Sequence, residues 1–212
     1  MIYIEKIEVT GFAQNCRILG EPGTKKAVVV DPGGDIEKIV SALEKRTWNL
    51  EQIWLTHSHV DHCGGVQDLK DRTGAILYGH KGEAEMRSHV REICSYYGIE
   101  PGTMKNCPEP DKYIDGGDIL QIGPYEFKAL FTPGHSPGHL SFYNADNKIV
   151  LAGDVLFAGS IGRTDLPGGD HKTLLDSVRT QLFTLPGDTK VLSGHGEDTT
   201  IKIEQETNPF FS

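Results

Sequence analysis

Thr56-His57-Ser58-His59-Val60-Asp61-His62-Cys63-Gly64-Gly65 sets four potential metal ligands, three histidines and an aspartate, within six residues. Crowding imidazoles and a carboxylate costs hydration and charge repulsion, which a bound cation offsets. Residues two apart on an extended or tightly looped backbone can point the same way, so His57 and His59 can share one ion. Asp61 and His62 fall on the next part of the turn and can reach a second. A short strand is expected before the segment, over Gln52–Leu55, and a helix after it, over Gly64–Arg72.

Further along stand Gly134-His135, Gly153-Asp154 and Gly194-His195, each a ligand type beside a glycine and near the end of an expected strand. The full set is five histidines and two aspartates, enough for two ions that share a bridging group. Imidazole nitrogen and carboxylate oxygen suit zinc, iron(II) or manganese. A closed structural zinc site is disfavoured because the set is not rich in thiolates. A metal-dependent enzyme is expected.

The flanking sequence reads as alternating strands and helices. Strands are expected at Tyr3–Val9, Gln14–Leu19 and Lys26–Val30, where Val28-Val29-Val30 suggests burial on both faces. Asp31-Pro32-Gly33-Gly34 makes a turn. Asp35 is then expected to cap a helix over Ile36–Lys45, with Ile36, Ile39, Val40 and Leu43 on one face. A strand at Ile76–Tyr78 precedes a longer helix, Lys81–Tyr97, ended by Gly98; Pro101–Pro110 is expected to be irregular. The second half offers strands at Asp118–Gln121, Tyr125–Phe131, His139–Tyr143 and Lys148–Ala152. A glycine-rich loop (Phe157–Asp170), a helix (Lys172–Leu182), a strand (Lys190–Ser193) and a helical tail (Thr199–Thr207) follow. With no linker or low-complexity segment, one α/β domain over 1–212 is expected.

At 212 residues with 37% hydrophobic and 24% charged residues, the chain has the composition of a soluble globular protein. A net charge of −9 disfavours nucleic acid as a partner. The four cysteines (Cys16, Cys63, Cys94, Cys107) lie far apart and read as free thiols of a reducing compartment. Cys63, beside the histidines, is a packing residue on this reading, with a soft ligand or redox-sensitive group as the alternative. No secretory signal is visible at Met1–Glu8, and no stretch approaches the roughly 18–20 apolar residues of a membrane span. A cytoplasmic protein without a membrane partner is expected.

HxHxDH followed in order by Gly-His, Gly-Asp and Gly-His resembles the metallo-β-lactamase fold superfamily over essentially the whole chain. The resemblance implies an αββα sandwich of two mixed β-sheets flanked by helices. It implies that His57, His59 and His135 bind a first metal, that Asp61, His62 and His195 bind a second, and that Asp154 bridges them with a hydroxide. Two divalent ions, zinc first with iron or manganese as alternatives, then activate the shared water and polarise the carbonyl it attacks, with Asp61 and Asp154 as the catalytic carboxylates. Asp31 either orients a ligand histidine from behind or simply forms the turn before Pro32-Gly33. His80, His89 and His171 carry no motif and read as surface or capping residues; Asp165 and Asp170 read as turn formers.

Gly153–Gly169 narrows the resemblance to short glyoxalase II-like hydrolases that lack the C-terminal glutathione-binding domain. Only seventeen residues follow His195, with Lys202 their single basic side chain. Arg163 matches the place of the family lysine that holds glutathione, and its charge can pair with a substrate carboxylate; the family's tyrosine is missing. The implied activity is hydrolysis of a small thioester such as S-lactoylglutathione. Gly162-Arg163-Thr164-Asp165 is also similar to persulfide dioxygenases, which use one iron held by the counterparts of His57, His135 and Asp154. A lactonase or esterase is a further alternative.

Overall fold

The computed structural model describes residues 1–100 and 102–211. One unit comprises Met1–Ile114 with Ile122–Pro124; the other comprises Asp115–Gln121 and the described chain from Tyr125 onward.

In the first unit, the apolar alternation of the opening residues forms strands β1 (Tyr3–Val9), β2 (Gln14–Glu21) and β3 (Lys26–Val30), paired antiparallel. Helix α1 (Ile36–Lys45) then crosses over, so that β4 (Asn49–Trp54) runs parallel to β3. Its stripe of Ile36, Ile39 and Leu43 is buried in a core shared with Val29, Ile53 and Leu77. Strands β5 (Ile76–Gly79) and β6 (Lys112–Tyr113) extend the sheet, also parallel, in the order β1-β2-β3-β4-β5-β6. Asp35 stands at the start of α1 but does not cap it. Its backbone is left-handed, with φ at 49°, and its carboxylate accepts instead from the Thr10 N–H (3.0 Å) and from Lys38 (2.7 Å).

The helix expected after the histidine cluster is α3 (Val66–Thr73). A further short helix, α2 (Val60–Cys63), forms within the cluster and stops at Gly64-Gly65, where glycine both disfavours helix and lets Met104 and Pro32 approach. The helix expected over Lys81–Tyr97 is broken into a 3-10 turn (Lys81–Glu83), α4 (Ala84–Ser88) and α5 (Val90–Tyr96). The Glu85 carbonyl is taken by the Ser88 hydroxyl (2.8 Å) and contacted by His89 Nδ1 (2.8 Å), while the His89 N–H turns to Met86. Side chains have displaced the backbone ladder there. Gly98 ends α5 as expected. Gly102–Pro110 is irregular; Pro101 lies outside the described residues.

The second unit carries β7 (Ile119–Ile122), β8 (Tyr125–Phe131), β9 (Leu140–Asn144) and β10 (Ile149–Gly153). A small hairpin, β11 (Leu156–Phe157) and β12 (Ser160–Ile161), forms within the expected glycine-rich loop. Helix α6 (His171–Ser177) is capped by the Asp170 carboxylate on the Thr173 N–H (2.7 Å) and passes into a π-type turn to Leu182. Strand β13 (Lys190–Ser193) lies parallel to β10, β14 (Thr199–Thr200) pairs antiparallel with β13, and α7 (Ile201–Thr207) follows. The sheet order is β14-β13-β10-β9-β8-β7. Both sheets are mixed and accompanied by helices, the α/β class expected from sequence. No described helix is long and apolar enough to cross a membrane.

Candidate metal centre

In the first unit the ligand segment leaves the C-terminal end of β4, next to the end of parallel β3, and Val30 pairs with Trp54. That register puts Asp31 beside Thr56. The Asp31 carboxylate accepts from the Thr56 N–H (2.8 Å) and hydroxyl (2.6 Å), and its Oδ2 lies 3.0 Å from His62 Nδ1. A carboxylate oxygen only accepts, so His62 Nδ1 carries the proton and Nε2 is left to face Asp61 Oδ2 at 3.8 Å. The same logic reaches His57. Its Nδ1 is 3.1 Å from the Thr56 hydroxyl, which has already given its proton to Asp31, so His57 Nδ1 donates and Nε2 presents a lone pair. That Nε2 lies 3.1 Å from His59 Nδ1. His57 and His62 are fully buried and His59 nearly so. Asp31 therefore orients His62 directly and His57 through Thr56, besides forming the turn.

The second unit repeats the device. Strands β10 and β13 are parallel neighbours with Gly153 opposite Ser193, and the Gly194 N–H donates to the Gly153 carbonyl (2.8 Å), so Asp154 and His195 emerge side by side. Asp154 Oδ2 is 3.5 Å from His195 Nε2 and 3.6 Å from His135 Nε2. The Arg163 carbonyl accepts from His135 Nδ1 (2.8 Å), which turns Nε2 toward the carboxylate.

His62 Nε2 thus turns a lone pair to Asp61 Oδ2 at 3.8 Å and His135 Nε2 one to Asp154 Oδ2 at 3.6 Å, acceptor to acceptor, with His195 Nε2 3.5 Å from that Asp154 oxygen. Donors at about 2.0–2.1 Å from a tetrahedral ion lie about 3.3 Å from one another, so the spacings fit a cation between the groups. The donor set is all nitrogen and oxygen, which suits a divalent metal such as zinc, iron(II) or manganese.

Sequence reading passed over His139, which is fully buried. Its Nε2 accepts the Asp154 N–H (3.1 Å) and its Nδ1 reaches the Thr132 hydroxyl (2.9 Å), so it fixes the backbone of a candidate ligand. The second Gly-His of Gly134-His135-Ser136-Pro137-Gly138-His139 was the signal for it. Cys63 turns its sulfur to the Ser58 carbonyl (3.3 Å) and is fully buried, as the packing role expects; the neighbouring Cys107 thiol and burial push its pKa up. His80 caps a turn by accepting from the Gly82 N–H, and His89 and His171 are exposed. Arg163 extends its guanidinium to Asp165 in two bonds of 2.7 and 2.8 Å, both side chains being more than half exposed. Its loop is pinned by the buried Glu204 of α7, which accepts from the Gly159 N–H (2.9 Å) and the Thr199 hydroxyl (2.6 Å).

The family model described as "Metallo-beta-lactamase superfamily" matches residues 9–195. The hydroxyacylglutathione hydrolase GloC of Haemophilus influenzae is 38% identical over 99% of this chain and 98% of its own. Among solved structures, the BLEG-1 B3 metallo-beta-lactamase aligns at a TM-score of 0.90 with 35% identity, covering 99% of this chain and 100% of that one. TTHA1623 in a di-iron-bound form aligns at 0.87 with 32% identity, covering 97% and 99%.

Proposed function

The chain belongs to the metallo-beta-lactamase superfamily, and from that premise we propose that it is a glyoxalase II-like hydrolase of small thioesters. The observation that supports this reading is Asp154, whose Oδ2 stands 3.6 Å from one histidine Nε2 and 3.5 Å from another, a spacing that fits a carboxylate shared between two cations. His57 and His59 alone offer too few ligands to hold a metal, as do Asp61 and His62. On this proposal they are completed from the second half of the chain: His57, His59 and His135 hold one ion, Asp61, His62 and His195 the other, and the two units act as one catalytic domain. Zinc is the proposed metal, with iron the alternative that the di-iron form of TTHA1623 favours.

When bound, the ions supply an activated water and an electrophile for the substrate carbonyl. The residues supply the rest. Asp31, Thr56 and the Arg163 carbonyl hold ring protons on Nδ1, so that Nε2 faces the metal positions. Arg163 is proposed to meet a carboxylate of the thiol carrier by exchanging Asp165 for it. The similarity to GloC supports a glutathione thioester as substrate. The similarity to BLEG-1 supports a second reading, β-lactam ring opening.

The test is steady-state hydrolysis of S-lactoylglutathione by zinc-reconstituted protein without oxygen, run beside a chromogenic cephalosporin. Turnover of the thioester alone is the expected result. Turnover of the cephalosporin alone, or of neither with two metals bound, overturns the thioesterase reading.

A further inference from the structure

Ser58, the residue between His57 and His59, is gripped at both ends of its backbone. Its N–H donates to Glu83 Oε2 at 2.8 Å, and its carbonyl accepts from Cys63 Sγ at 3.3 Å. Glu83 is 1% exposed and reaches Ser58 from a segment 25 residues away. A carboxylate so buried carries a large desolvation cost, which a core packing role alone does not repay.

The support behind Glu83 is itself braced. Glu83 ends the 3-10 turn Lys81–Glu83, whose first N–H groups are capped by His80 Nδ1 accepting from Gly82 (3.1 Å). The His80 carbonyl accepts from Arg87 Nη1 (3.0 Å), and Arg87, also 1% exposed, extends Nη2 to Glu109 (2.9 Å). Arg87 lies in α4, the short helix that directly follows the turn.

We propose that Glu83 is a positioning residue of the metal centre: by holding the Ser58 N–H it fixes the peptide between two ligand histidines and so sets the aim of both rings. The assignment rests on the metal-centre reading given above. It concerns geometry at the amide rather than the charge of the carboxylate, and the two differ in outcome. E83Q keeps an oxygen of the same reach and removes the charge; E83D keeps the charge and withdraws the oxygen by one methylene.

The experiment is titration of the metal-free full chain and both variants with Co(II). Affinity is read by competition with a chromogenic chelator, coordination by the visible d–d bands, and folding by circular dichroism. In E83Q the affinity should stay within about threefold of the parent, with unchanged bands. In E83D it should fall about tenfold or more, the range for removing a group that orients a ligand, with shifted bands and an unchanged circular dichroism spectrum. Parent-like affinity and bands in E83D overturn the assignment. So does an E83Q variant as impaired as E83D, because charge would then be the operative property. A parent chain that binds no cobalt defeats the metal-centre reading itself and the role of Glu83 with it.

Discussion

Asp31 holds His62 through a single oxygen, 3.0 Å from Nδ1, while the same carboxylate accepts both protons that Thr56 can offer. All three groups are buried. One side chain at the end of β3 thereby fixes the ring proton of His62 directly and that of His57 through the Thr56 hydroxyl. In D31N the amide nitrogen must face a donor, either Thr56 or His62 Nδ1–H, and a buried donor–donor contact is unfavourable. Divalent-metal affinity should drop about 10- to 100-fold, by chelator competition. Parent-like affinity would show that Asp31 serves the turn alone.

Gly33 lies against the ligand segment so closely that a Cβ there would sit 1.5 Å from the Asp61 carbonyl oxygen. No side chain can yield, because the obstacle is backbone. G33A should therefore destabilise the metal-free chain by about 3 kcal/mol or more, lowering its melting temperature by roughly 6 °C or more. Gly11 has nothing within 4 Å of the same position, so G11A is the control and should melt within about 2 °C of the parent. Equal melting of the two variants would contradict the packing at Gly33.

Local pattern accounts for much of the fold. The strands Tyr3–Val9, Lys26–Val30, Tyr125–Phe131 and Lys190–Ser193 follow from local runs of apolar and β-branched residues and appear with the expected bounds. The family followed from motif order. What escaped were features decided by contacts distant in sequence. The Lys81–Tyr97 break depends on Ser88 and His89 competing for one carbonyl, which periodicity does not register. Glu83 and His139 work through backbone amides of other segments, and no spacing rule links residue 83 to residue 58. Asp35 has a capping residue's identity but is drawn to Thr10 by a hairpin 25 positions earlier.

Arg163 donates two bonds to Asp165 and holds that carboxyl low, at about 2. A depressed folded-state value means that the pair contributes while pH exceeds the unfolded value of roughly 4, and that the contribution fades as pH falls toward 2. Both groups are solvent-exposed, so the effect on overall stability is small. Across the neutral range the pair is intact, and Asp165 should add no titration to a pH–rate profile between pH 5 and 9. Carboxyl NMR should give a midpoint near 2 in the parent and near 4 in R163A. A midpoint near 4 in both would mean that the ion pair does not persist in solution.

Asp154 faces two histidines through one oxygen, with its own backbone N–H secured by His139. A ligand of that kind serves whichever ions those histidines hold, so its loss cannot be confined to one of them. D154A should lower the metal content measured by elemental analysis from two ions per chain to fewer than one, and thioester hydrolysis by orders of magnitude. H195A removes a histidine from one side only and should retain close to one ion per chain. If D154A keeps two ions and near-normal turnover, the carboxylate is not shared and the binuclear centre is wrong. If D154A and H195A each lose a single ion, Asp154 belongs to one metal alone, and the bridging role falls while the two separate sites stand.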